Sequence, residues 1–189
     1  MKSHHIGVLI LTLVFLMGGL LSYTLVQNGY FPVVAVDGNF ISQRTVKENA
    51  DVSRRLYSQG LVGSSKEMDD LFKKSSEKEL MKNSLEGLII NQIVKSSASN
   101  DQIKKAEKEV EVTFDSKAEA NLSGVLKNVY KWDADKFKER ILEPQALLQV
   151  VSQEKGEDFD NWLKSAKLEA KVKVWFSAYK WENGELKAK

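Results

Sequence analysis

The chain has 189 residues, with 28 Lys plus Arg against 26 Asp plus Glu and a formal net charge of +2. That near balance leaves no basic footprint for nucleic acid. The absence of cysteine excludes disulfides, thiol catalysis and thiolate metal sites, and the two histidines, His4 and His5, leave residues 27–189 with none for a hydrolase triad or an imidazole metal site.

The first element in the chain is the run Ile6–Val26, which carries no charged residue. At about 1.5 Å per residue, a helix of that length crosses a hydrocarbon core of roughly 30 Å. Its polar residues are too few to make a polar face, which a buried core helix would show. The end of the run, Ser22-Tyr23-Thr24-Leu25-Val26-Gln27, offers no small-x-small cleavage site. Residues 6–26 therefore read as an uncleaved transmembrane anchor, with a cleaved secretory signal as the alternative. Lys2 precedes the run and no Lys or Arg occurs from Gln27 to Gln43. Residues 1–5 are accordingly a cytoplasmic leader in a single-pass protein of the cytoplasmic membrane, with residues 27–189 extracytoplasmic.

Residues 27–32 form a short linker, with Tyr30 and Phe31 suited to a membrane interface. Val33-Val34-Ala35-Val36 is a β-branched run followed by the turn Asp37-Gly38 and a return at Phe40-Ile41. Ser42 is a suitable N-cap for a helix to about Gln59. Gly60–Ser65 interrupts the pattern as an arm carrying Leu61 and Val62, and a weaker helix covers 66–74. From Ser76 to Ala98 the apolar residues Leu80, Leu85, Leu88-Ile89 and Ile93 recur at helical spacing, so the core is expected to form around this helix. Ser99 and Gln102 make a capping box for a helix to about Ser116, and a shorter helix carries Leu122 to Val129.

Asp133 is positioned to cap a helix over 134–154 that Pro144 should kink, because proline lacks the N–H of that turn. After a polar break at Gln153–Asp158 comes a last helix from Phe159 to Ala170. Val172, Val174 and Phe176 then alternate with Lys171, Lys173 and Trp175 at the period of a strand. A four-residue strand at 33–36 cannot stand alone. The two extended segments are therefore expected to pair antiparallel, fastening the two ends of a mainly helical domain over 33–181 with a small two-stranded sheet, and leaving 182–189 as a tail.

The order of these parts resembles the SurA/PrsA-type extracytoplasmic foldases. Val34-Ala35-Val36-Asp37-Gly38-Asn39-Phe40-Ile41-Ser42 is similar to their V-x-V-N/D-G-x-x-I-S opening, and Leu85 to Ile93 to their L-I-x-x-x-L-L helix. Tyr130-Lys131-Trp132 through Phe137-Lys138 is similar to their Y-x-W-x-x-x-x-F-K segment, and Phe159–Leu163 with Ala170–Val174 to their closing helix and strand. The resemblance implies a SurA N-terminal-like chaperone domain. It also implies that isomerase relatives carry a parvulin domain of about a hundred residues where this chain has only Gln153–Asp158.

The leading expectation is a membrane-anchored chaperone or holdase that binds apolar segments of unfolded or translocating polypeptides. It would need no cofactor and no nucleotide, since the sequence holds no G-x-x-x-x-G-K-[ST] phosphate loop. Candidate peptide-binding residues are Tyr130, Trp132, Trp162, Trp175, Tyr179 and Trp181, with Leu61 and Val62 of the arm; packing within the core is the competing explanation for each aromatic. The alternative is a structural adaptor that docks one specific envelope partner, with an enzyme a third reading that the missing His and Cys disfavour. Purified residues 27–189 should not accelerate prolyl isomerisation in a model peptide, and any measurable catalysis there would contradict the expectation.

Overall fold

The computed structural model describes residues 24–58, 77–175 and 178–189. Strands β1 (Pro32–Val36) and β2 (Asn39–Ser42) open the fold, followed by helices α1 (Gln43–Ser58), α2 (Glu77–Ser97), α3 (Asn100–Thr113) and α4 (Ser116–Val125). Helix α4 runs into a π-turn, Leu126–Tyr130. The one-turn helix α5 (Ala134–Phe137) passes through a second π-turn, Lys138–Leu142, into α6 (Glu143–Lys155). Helix α7 (Phe159–Glu169) and strands β3 (Val172–Val174), β4 (Tyr179–Glu182) and β5 (Glu185–Ala188) complete the chain.

The mainly helical domain and the antiparallel union of its first and last segments are as expected: Val34 lies opposite Val174 and Val36 opposite Val172. The sheet, however, is not two-stranded. Its order is β2-β1-β3, and a separate hairpin pairs β4 with β5. Asp37 and Gly38 both take positive φ (49° and 87°), the conformation of a tight turn that matches strand twist, so Asn39–Ser42 folds back along β1 as a third strand. The same turn is tied to the far end of the chain. Asp37 donates its N–H to Lys171 O at 3.1 Å, and its carboxylate accepts the Lys171 N–H at 2.9 Å.

Residues 182–189, expected as a tail, instead supply β5, and Leu186 is buried in the core. Gly184 at their turn has φ of 77°, and a Cβ there would come 3.3 Å from Lys167 Cβ, so glycine lets the hairpin close on α7.

Among the described residues, three apolar clusters hold the domain. Under the sheet, Val34 and Val36 of β1 pack on Leu85, Ile89 and Ile93 of α2, with Ala166 and Leu186 closing the sides. A second cluster joins Val94 to Ala106 of α3 and to Leu147, Val150 and Val151 of α6. A third packs Phe114, Leu126 and Phe137 where α3, α4 and α5 meet. Helix α2 thus contributes to both larger clusters, as its apolar periodicity predicts.

Caps act where the side chains allow: Ser42 Oγ accepts the Thr45 N–H at 3.1 Å, and Ser99 and Gln102 form the full capping box. Asp133 Oδ1 accepts the Lys136 N–H at 2.8 Å. Among the described residues no helix is long and apolar enough to cross a membrane. Residues 6–23 of the expected anchor, and the arm with Leu61 and Val62, lie outside the described residues.

Ile89 has no exposed surface and sits directly beneath β1. Ile89→Ala should lower unfolding free energy by about 3 kcal/mol. Urea denaturation followed by circular dichroism measures this, and a loss below about 1 kcal/mol would show that the sheet is not seated on α2.

Candidate functional site

Helix α2 buries one face under the sheet and turns another toward a furrow. One wall is formed by the β2–α1 junction and α1. The other is formed by α3 and the segment 139–147 that joins the second π-turn to α6. The furrow has two adjoining parts of about 360 and 300 Å³, and Leu88, Asn91, Arg140 and Pro144 line both. The larger part adds Ile103 and Leu147 to its apolar surface, and the smaller adds Val52, Leu56 and Trp132.

Pro144 explains the shape of the second wall. It has no N–H to donate to the carbonyl four residues back, and its ring would crowd that carbonyl. The chain widens into a π-turn just before it: the Glu143 N–H bonds to Lys138 O, five residues back, and α6 restarts with Pro144 in its first turn. The expected kink is therefore a bulge, and it faces the furrow. The first π-turn, Leu126–Tyr130, is held from α1. Arg55 Nε donates to Val129 O and Arg55 Nη2 to Tyr130 O at 3.2 Å, a cation on the last carbonyls of a helix, and Lys131 follows in the left-handed conformation.

Charged groups tie α1 to α5. Glu48 of α1 pairs with Lys136 of α5 at 2.9 Å and with Arg44 one turn back at 2.9 Å. Burial alone would push the Glu48 carboxyl up, but the hydrogen bonds and charges of Lys136 and Arg44 outweigh it and hold the group below its ordinary value of 4.5. Lys136 also lies over the Trp132 ring, 5.3 Å from its centre.

Among the described residues, two polar atoms at the furrow have no hydrogen-bond partner although they are buried, Asn49 Oδ1 and Arg140 Nε. Arg140 Nε lies 3.4 Å from Glu139 Oε1, an ion pair without hydrogen-bond geometry. Such atoms are costly in a closed interior, and a rotation of either side chain toward the furrow offers an acceptor or a donor to a polar ligand. Among the described residues no group of His, Cys, Asp or Glu could hold a metal ion.

The sequence of the first three quarters of this body has a counterpart among protein families. A sequence model of the SurA-like N-terminal domain matches residues 2–139, most of the chain. The chain belongs to the SurA-like N-terminal domain family. No curated protein matches it, and no solved structure does.

This SurA-like domain is of the chaperone type, and the match shows no parvulin domain. Between α6 and α7, where the resemblance placed that insertion in isomerase relatives, the described chain has only the single 3₁₀ turn Gly156–Asp158. The furrow wall from Arg140 onward lies beyond the matched region.

The SurA-like fold does not gather the aromatic residues singled out in the sequence onto one surface. Tyr130 and Trp132 do meet, with ring centres 5.7 Å apart, but Trp132 is only 7% exposed, a floor residue of the smaller part of the furrow. Burial pushes the Tyr130 phenol above its ordinary value of 10.0. Trp162 stacks on Phe159 at 6.0 Å against the second cluster. Tyr179 and Trp181, neighbours on one face of β4, pack against the first cluster. Trp175 follows β3 and lies 6.2 Å from Phe40. Trp175 and Trp181 thus belong to separate segments of the chain.

Sequence reasoning missed Asn49, Arg140 and Pro144 as furrow residues, and Glu48 as the link from α1 to α5. Arg44 and Glu48 at i, i+4 were a legible signal; the partner Lys136, brought in by the fold, was not.

Because the folded Glu48 carboxyl titrates below 4.5, its contribution to stability is complete above that value and disappears as pH falls through the folded one. Glu48→Gln should therefore cost about 1 kcal/mol or less at pH 7 and nothing once both forms are protonated. Thermal unfolding of the two proteins across acid pH gives the comparison; a gap that persists in acid would assign the effect to packing.

Proposed function

We propose that this chain is a membrane-anchored extracytoplasmic chaperone that holds apolar segments of unfolded or translocating polypeptides in the furrow beside α2. On this reading residues 6–26 span the cytoplasmic membrane, with the amino terminus inside and the folded domain outside. The observation that carries the proposal is the furrow itself, in a domain of the SurA-like type. Apolar side chains such as Leu88, Ile103, Leu147 and Pro144 line it, and two buried polar atoms at its walls, Asn49 Oδ1 and Arg140 Nε, have no hydrogen-bond partner.

Affinity in such a site comes from apolar burial, at about 25 cal/mol per Å² before ordering costs. That source is non-directional, so binding is weak and tolerant of client sequence, as a holdase requires. No nucleotide is involved and no isomerase step occurs, in keeping with a domain that lacks histidine. The alternative, an adaptor docking one envelope partner, predicts a different binding pattern.

The full chain in lipid nanodiscs should suppress aggregation of several unrelated unfolded proteins at near-stoichiometric ratios. Leu88→Gln, which places a polar group in both parts of the furrow, should reduce that protection several-fold while circular dichroism stays unchanged. Saturable binding of a single envelope protein, with no protection of the others, would favour the adaptor instead.

A further inference from the structure

Strand β2 is an edge of the three-stranded sheet, and its residues Phe40, Ile41 and Ser42 line the larger part of the furrow. The register fixes which backbone groups it leaves free. The two-residue turn makes Val36 and Asn39 the closing hydrogen-bonded pair, and hydrogen-bonded pairs then alternate along an antiparallel ladder. Val34 and Ile41 are the next such pair, so Phe40, opposite Ala35, directs both its N–H and its C=O away from β1. Ala35 confirms the alternation: it lies opposite Lys173, and its groups face β3 on the other side.

Phe40 is 70% exposed, and its ring lies near that of Trp175 on the outer face of the sheet. A free donor and acceptor in line at the margin of an apolar furrow are complementary to another extended backbone.

We propose that β2 is the docking edge of the furrow, where an extended polypeptide adds as a fourth strand through the N–H and C=O of Phe40 and lays its apolar side chains against Phe40 and the furrow. This inference rests on the polypeptide-holding reading and specifies how the client is bound. Main-chain pairing is blind to client sequence, which gives the domain affinity without side-chain selectivity.

Proline separates the edge from the side chain. At an outward-facing position of an edge strand it removes only the free N–H and leaves the bonds to the neighbouring strand. Phe40→Ala removes the ring and keeps the N–H. The probe is a fluorescently labelled peptide of alternating Leu and Ser, with a counterpart N-methylated at alternate residues, titrated against the full chain in nanodiscs.

Phe40→Pro should bind the unmethylated peptide about three- to tenfold more weakly than Phe40→Ala, and the N-methylated peptide should bind the unaltered chain more weakly by a similar factor. Equal affinity of the two variants, together with undiminished binding of the methylated peptide, would overturn the edge while leaving the holdase intact. No binding of either peptide by the unaltered chain would remove the polypeptide-holding reading itself. Should Phe40→Pro fail to fold, the methylated peptide on the unaltered chain decides alone. A concentration-dependent dimer in sedimentation that Phe40→Pro abolishes would give the edge to a second copy of the chain and overturn the proposal.

Discussion

Strand β1 can exist only because segments far apart in the chain meet on it. Val34 and Val36 are completely buried on α2, and burying a strand face requires that every backbone N–H and C=O beside it find a partner. One side is supplied locally by β2. The other is supplied by β3, and the bonds between Asp37 and Lys171, 134 positions apart, lock the junction. A single central strand thereby closes the chain into a loop, and the cost of that closure grows only slowly with its length. The helices between Ser42 and Ala170 then pack within a fixed frame.

That frame accounts for the furrow. Helix α2 is committed to the sheet on one face and to α3 and α6 on another, so its remaining surface, around Leu88 and Asn91, is left between two walls that do not meet. Pro144 keeps the second wall irregular by forcing a wider turn, and Glu48 with Lys136 ties α1 to α5 by charge. A surface bond of this kind contributes little to stability and yields more readily than a packed interface.

The comparison with foldases that carry a parvulin domain gives the single turn Gly156–Asp158 its significance. Helices α6 and α7 are joined there almost directly, and both pack into the cluster around Val150 and Val151. The domain is complete across that junction, so the frame does not depend on an inserted domain. The pairing of β1 with β3, rather than that connection, holds the body together.

Much of this was legible in the residues alone. The caps at Ser42, Ser99 and Asp133, the helical spacing of Leu85, Ile89 and Ile93, and the alternation at Val172 and Val174 are local properties, decided within one or two turns of chain. From them followed the helix-rich class, the central place of α2 and the pairing of the two ends. What only the tertiary structure decided was depth and company. Trp132 and Trp175 look alike in sequence, yet one forms the floor of a cleft and the other stands beside Phe40 at the sheet's rim. The same holds for the last residues, polar enough to read as a tail until Leu186 enters the core. Periodicity reports which side of an element is apolar, but burial is set by whatever arrives from elsewhere in the chain, and that partner is not written next to the residue it covers.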